Sequence, residues 1–167
     1  VGASVIANAC TLDSNFAELG GVLFADSSVV TMSNCTMSLN SASYGGGAVI
    51  AFGRSTVTTT HCTMTSNSAF LGGAVFARDD TTFTVTNCTM TSNSAIYGYG
   101  GAVVAYGTST VTATQCTMTA NSAFWGGAVS ASDNSAVTAT HCTMSSNSAS
   151  AWGGAICARG NSTVQVT

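Results

Sequence analysis

Apolar and polar residues alternate with period two through short stretches of the chain: Thr56–Thr60 reads Thr-Val-Thr-Thr-Thr, and Thr110–Thr114 reads Thr-Val-Thr-Ala-Thr. Such runs are rich in β-branched residues and bounded by Gly, Asn, Asp and Ser, which predicts strands. No apolar stripe at i, i+3, i+4 spacing predicts a helix.

The alternation belongs to a larger period. Cysteines recur at Cys10, Cys35, Cys62, Cys88, Cys116 and Cys142, at intervals of 25, 27, 26, 28 and 26 residues. Five residues after each comes an asparagine (Asn15, Asn40, Asn67, Asn93, Asn121, Asn147), then an alanine, then a Gly-Gly pair beginning at Gly20, Gly46, Gly72, Gly100, Gly126 or Gly153. From Gly46 onward the first Gly stands 16 residues before the next Cys, so all length variation falls in the gap before Gly-Gly. Insertions collect in loops, so that gap is expected to be a loop on a fixed scaffold. Identical residues at identical positions of every unit have a physical use when units stack in parallel and in register, about 4.8 Å apart. The chain is therefore read as all-β, a right-handed single-stranded parallel β-helix of about six coils of 25–28 residues, continuous over 1–167. The absence of proline agrees, because every strand must donate its N–H groups to a neighbour.

Parity assigns the faces. Val57, Val85, Val111 and Val137, the cysteines, the methionines from Met37 to Met144 and the valines after Gly-Gly point inward. The asparagine column is expected to form an amide ladder, and Asn34, His61, Asn87, Gln115 and His141 to occupy a sharp corner. Outward, Thr58, Thr60, Thr84, Thr86, Thr112, Thr114, Thr138 and Thr140 form flat ladders. After Gly-Gly, Phe24, Ile50, Phe76 and Val104 make an apolar strip that a lone soluble domain rarely leaves bare, and Cys157 ends it as an exposed thiol or an intermolecular link. The strip is the expected lateral contact. The first coil opens at Val5 and Ala7, and the last apolar pair is Val164 and Val166, with no capping helix, charged strand or proline, so a longer array or end-to-end stacking is expected.

A Gly-Gly-Ala-aliphatic motif (Gly46–Val49, Gly72–Val75, Gly100–Val103, Gly126–Val129, Gly153–Ile156) is linked to a hydrophobic-x-x-Asn motif (Met37–Asn40, Met64–Asn67, Met90–Asn93, Met118–Asn121, Met144–Asn147). The linked pair resembles the chlamydial polymorphic outer membrane protein repeat, with Met in place of the usual Phe. The resemblance implies a right-handed, pectate-lyase-like β-helix in surface-exposed adhesive or structural proteins.

Charge narrows the chemistry. Only 9 of 167 residues are charged and the net charge is −3, against a usual charged fraction of about 25%. No basic surface exists for nucleic acid, and no apolar run is long enough for membrane insertion by this segment. Asp13, Glu18, Asp26, Asp79, Asp80 and Asp133 are scattered over turns rather than paired for proton transfer, so no enzyme and no cofactor is expected. His61 and His141 sit three coils, about 14 Å, apart, too far to share a metal. The in-register cysteines read as buried free thiols. Tyr44, Tyr99, Trp125 and Trp152, with Phe70, Tyr97 and Phe124, flank the variable gap and are candidates for stacking on sugars or docking a partner strand. Glycosylation sequons stand at Asn34, Asn87 and Asn161.

The leading expectation is a non-enzymatic structural or adhesive segment of an extracellular, cell-surface glycoprotein or filament, whose partners are further copies of itself, other surface proteins or glycans. An ice-binding protein using the Thr-x-Thr ladders is the alternative, and a polysaccharide-binding module the third.

Overall fold

The computed structural model describes residues 2–167, which form 25 strands in four parallel sheets. Sheet 1 has seven strands, from Ser4–Asn8 to Thr163–Val166. Sheet 2 has six short ones, from Thr11–Asp13 to Thr143–Ser145. Sheet 3 runs from Phe16–Leu19 to Ser148–Trp152 and sheet 4 from Leu23–Asp26 to Ile156–Ala158. The chain visits the four in turn, so each circuit is one coil. Equivalent residues pair across coils: Met64 with Met90, Met90 with Met118, Val75 with Val103. Among the described residues there is no helix, and none is long and apolar enough to cross a membrane.

The corner between sheets 1 and 2 is held by Asn34, His61, Asn87, Gln115 and His141, all left-handed with φ from 52° to 54°. One left-handed residue turns the chain sharply and returns the next residue, the cysteine, to the interior. A second left-handed column lies between sheets 2 and 3, at Ser14, Leu39, Ser66, Ser92, Ala120 and Ser146. Ser, Ala and Leu carry little preference for that conformation, which costs each about 1 kcal/mol. The asparagine that follows offsets the cost. Asn67 donates both its backbone N–H and its Nδ2–H to Asn93 Oδ1, each at 3.0 Å, and its Nδ2–H also to the Met37 carbonyl at 2.9 Å. The pattern repeats from Asn15 to Asn147, a buried amide ladder along the coils.

The interior is filled by the columns that parity assigns to it. Val57, Phe83, Val85, Val111, the methionines Met37 to Met118 and the cysteines Cys35 to Cys116 are buried, together with Val49, Val75, Val103 and Val129 of sheet 4.

The variable gap is not a loop. In the third coil Ser68–Leu71 is a strand of sheet 3, and its equivalents keep the ladder in every coil. The extra residues are absorbed as register shifts, between Ala95 and Tyr99 for instance, because a bulge bends a strand without ending its pairing. The chain thus runs outward along sheet 3, reverses at Gly-Gly and returns along sheet 4 as an arm. Gly72 takes φ +64° at the reversal. Gly73 lies so close to the next coil that a Cβ there would overlap the Gly101 carbonyl oxygen and the Ser94 backbone nitrogen. The pair needs glycine twice, once for conformation and once for approach.

Candidate functional site

The threonine rows lie where parity puts them, on the outer faces of sheets 1 and 2. Thr58, Thr84, Thr112 and Thr138 pair in one column and Thr60, Thr86, Thr114 and Thr140 in the next. Thr31 and Ser33 extend both columns at one end. At the other, Thr167 Oγ1–H donates to Thr140 Oγ1 at 3.2 Å. Thr56, Thr82 and Thr110 form a third, more exposed column. Around the corner, sheet 2 carries Thr63, Thr89 and Thr117 beside Thr65, Thr91 and Thr119. The result is a lattice five columns wide, and Asp13 is the one charged residue among the strands of these two sheets. The threonines of the two central columns of sheet 1, such as Thr58, Thr60, Thr84 and Thr86, are half-buried, as close cross-strand neighbours in register would make them. In the sequence this face is marked by the repeated Thr-x-Thr.

The apolar strip behaves otherwise. Ile50, Phe76 and Val104 are fully buried and Cys157 is 9% exposed, so none is a bare lateral contact and Cys157 is not an exposed thiol; Phe24, at 48%, is the member that reaches solvent. The physical reason is the arm. Sheet 3 side chains from the outgoing limb, Leu19, Leu71 and Tyr99, fold over the strip and, with Phe52 and Tyr106, form a second small core outside the main one. The expected loop was the missing cover.

Three of the candidate aromatics stack within this arm. Tyr99, Trp125 and Trp152 occupy one column, with ring centroids 4.6 Å and 5.4 Å apart, the two indoles lying within 4° of parallel. The Arg159 guanidinium lies 4.5 Å from the ring centroids of both Tyr99 and Trp125 and donates to the Tyr99 hydroxyl, so these rings are occupied by the chain itself. Trp152 stays 61% exposed at the edge of the stack, and Tyr44 packs beside Phe76 with part of its ring in solvent. Arg78 caps the same core from Phe52 and Tyr106 and pairs with Asp79 at 3.0 Å, an exposed bridge of small energetic weight. The neighbouring Asp133 carboxylate holds the Tyr106 phenol above its usual pKa. Where Val104 gives way to Ser130, the core turns polar, and Trp125 Nε1, Ser130 Oγ and Ser132 Oγ are enclosed without partners.

The acids do not converge. Asp79 and Asp133 each place Oδ1 into the space that a Cβ of Gly107 or Gly160 would fill, so carboxylate and glycine alternate along a turn column for reasons of packing. Among the described residues no three His, Cys, Asp or Glu side chains form a metal-binding group. The column cysteines are free thiols that donate to the carbonyl two residues earlier, as Cys88 does to Thr86 at 3.3 Å. Burial pushes the Cys116 thiol up to about 11. Cys62 is raised too, first by its hydrogen bond to Cys88 and then by burial. The sequon residues Asn34, Asn87 and Asn161 all sit at left-handed turns, and all three are exposed. Asn87 Nδ2 faces His61 Nε2 at 3.3 Å along the corner.

Four parallel sheets wound into stacked coils define a β-solenoid. The model of the right-handed β-helix region matches residues 2–167, and the chain belongs to that family. No curated protein and no solved structure matches it.

Proposed function

We propose that this β-helix repeat domain is a non-enzymatic structural and adhesive segment of an extracellular surface protein, and that it makes lateral contact through the hydroxyl lattice of sheets 1 and 2. The observation that carries this reading is the in-register face of Thr and Ser, nearly free of charge, on a scaffold whose other ordered features serve packing. The scattered carboxylates support a role without catalysis. The resemblance to the chlamydial surface repeat supports the cell-surface setting, and the exposed Asn87 and Asn161 sequons fit a glycoprotein. Stacking coil on coil end to end would extend the same hydrogen-bond pattern that already joins the coils.

The second reading, ice binding, is favoured by the same lattice, since two-dimensional hydroxyl order is what orders water. Glycan occupancy divides the two, because a sugar on Asn87 would stand beside Thr86 and Thr89 and lift a flat crystal away from the face. The deciding experiment is electron microscopy of the purified chain across a concentration series, paired with thermal hysteresis. Side-by-side rods or fibres with a repeat at a multiple of about 4.8 Å are expected. Dispersed monomers with thermal hysteresis would overturn the structural reading in favour of ice.

A further inference from the structure

A surface concavity lies away from the hydroxyl lattice, on the outer face of sheet 3. It has a volume of about 290 Å³, at the lower edge of the roughly 300–1,000 Å³ that small-molecule sites occupy. Phe70 and Tyr97, from successive coils, form its walls and are 45% and 74% exposed. Ala42 and Ala69 lie in its lining with the serines Ser43, Ser68 and Ser94. Among the described residues, no charged one lines it.

We propose that this groove is a binding site for a neutral sugar, one or two hexose units of a longer chain. A pyranose has an apolar face of C–H bonds and a rim of hydroxyls. It therefore asks for an aromatic surface beside uncharged hydrogen-bonding groups, and the groove offers both. The aromatic faces supply a flat, electron-rich surface for C–H groups. The hydroxyls are only partly used: Ser68 Oγ donates to Ser41 Oγ at 3.3 Å and keeps its own lone pairs, while Ser94 Oγ accepts from Ser122 Oγ at 3.2 Å and keeps its hydrogen. The site thus presents acceptors and donors one coil apart, at the pitch of the helix. Phe124, outward on the next strand of sheet 3 and 38% exposed, continues the aromatic row beyond Tyr97 and gives a longer chain a surface to follow. Neutral rather than uronic sugar fits because no arginine or lysine reaches the lining and because Glu18 stands on a neighbouring strand of the same sheet. Tyr99 and Trp125 belong instead to the stack held by Arg159, whereas the groove is lined by Ser68 to Phe70 and by residues of the coils on either side, Ala42, Ser43, Ser94 and Tyr97.

The inference goes beyond the adhesive reading and lies on a different face, so loss of one leaves the other standing. The test is isothermal titration and saturation-transfer NMR of the whole chain with cellohexaose, xylohexaose, mannohexaose and a hexamer of galacturonic acid. At least one neutral hexamer is expected to bind with magnetisation transfer to its ring protons. Phe70→Ala and Tyr97→Ala should each weaken it by about threefold to tenfold, with an unchanged melting curve because both rings face solvent. Ser130→Ala, away from the groove, is expected to leave binding as it was. The proposal is overturned if no neutral hexamer binds, if only the acidic hexamer does, or if binding survives loss of both rings.

Discussion

A single asparagine side chain per coil carries four hydrogen bonds that no neighbour can replace. Asn93 Oδ1 receives the N–H and the Nδ2–H of Asn67, and Asn93 Nδ2 donates to the Met64 carbonyl at 2.9 Å and to Asn121 Oδ1 at 3.0 Å. Asn93→Ala strands the Asn67 N–H, one Asn67 Nδ2–H and the Met64 carbonyl in the interior, while Asn121 Oδ1 keeps the Asn93 backbone N–H, and at roughly 1–3 kcal/mol for each unsatisfied group it should cost at least about 3 kcal/mol. Urea unfolding of the variant against the parent measures it, and a loss under about 1 kcal/mol would show that the ladder is ornamental. The thiols make a second prediction. The folded state holds Cys116 at about 11 rather than 9.0 because burial disfavours the thiolate. The unfolded chain therefore loses its proton first as pH rises, and stability present below pH 9 declines between 9 and about 11. Thermal midpoints across that range should fall with pH, while native thiols resist iodoacetamide at pH 8 and react once urea is added. The asparagines and cysteines were visible as a period in the sequence. The left-handed turn at Leu39 or Ala120 was not, because nothing in those side chains asks for positive φ; the hydrogen bonds around the next asparagine impose it.

Among the elements, the arm of sheets 3 and 4 is where length is free and approach is not. Gly73→Ala would drive a methyl into the backbone of the next coil, whose strand cannot retreat without breaking its own ladder. A loss of about 3 kcal/mol or more is expected, above the usual range for overpacking because the obstacle is backbone. One extra residue inserted between Phe70 and Leu71 should cost under about 1 kcal/mol, since the following coil already absorbs additional residues there as a bulge. The same insertion between Met64 and Asn67 would carry Asn67 out of its ladder and should abolish cooperative unfolding. Circular dichroism with chemical denaturation distinguishes the three variants. The strand assignments of sheets 1, 2 and 4 could be read from alternation. Sheet 3 could not, because its strands vary in length and break period two at their bulges. The apolar strip was misplaced as a result: parity sends Ile50, Phe76 and Val104 outward, which is correct, and only the folded arm turns that outward face into a second interior.

At the scale of the whole molecule, stability is repeated from coil to coil and the surface is what remains for function. Thr84→Lys with Thr112→Lys places two charges at the centre of the hydroxyl lattice, where the side chains are half exposed. Each change should shift stability by no more than about 0.5 kcal/mol. Side-by-side association is nonetheless expected to disappear from sedimentation velocity runs, because like charges would meet across every lateral contact. Association that persists would move the contact to another face. The stacking of coils, the inward columns, the corners and the threonine rows were all implied by residues recurring at one spacing, since a solenoid brings equal positions together and periodicity alone says which. What the arm covers, which aromatic rings remain free, and that Phe70 and Tyr97 wall a groove required the coordinates. Those facts depend on how far one limb of the chain folds back over another, a distance that no single repeat contains.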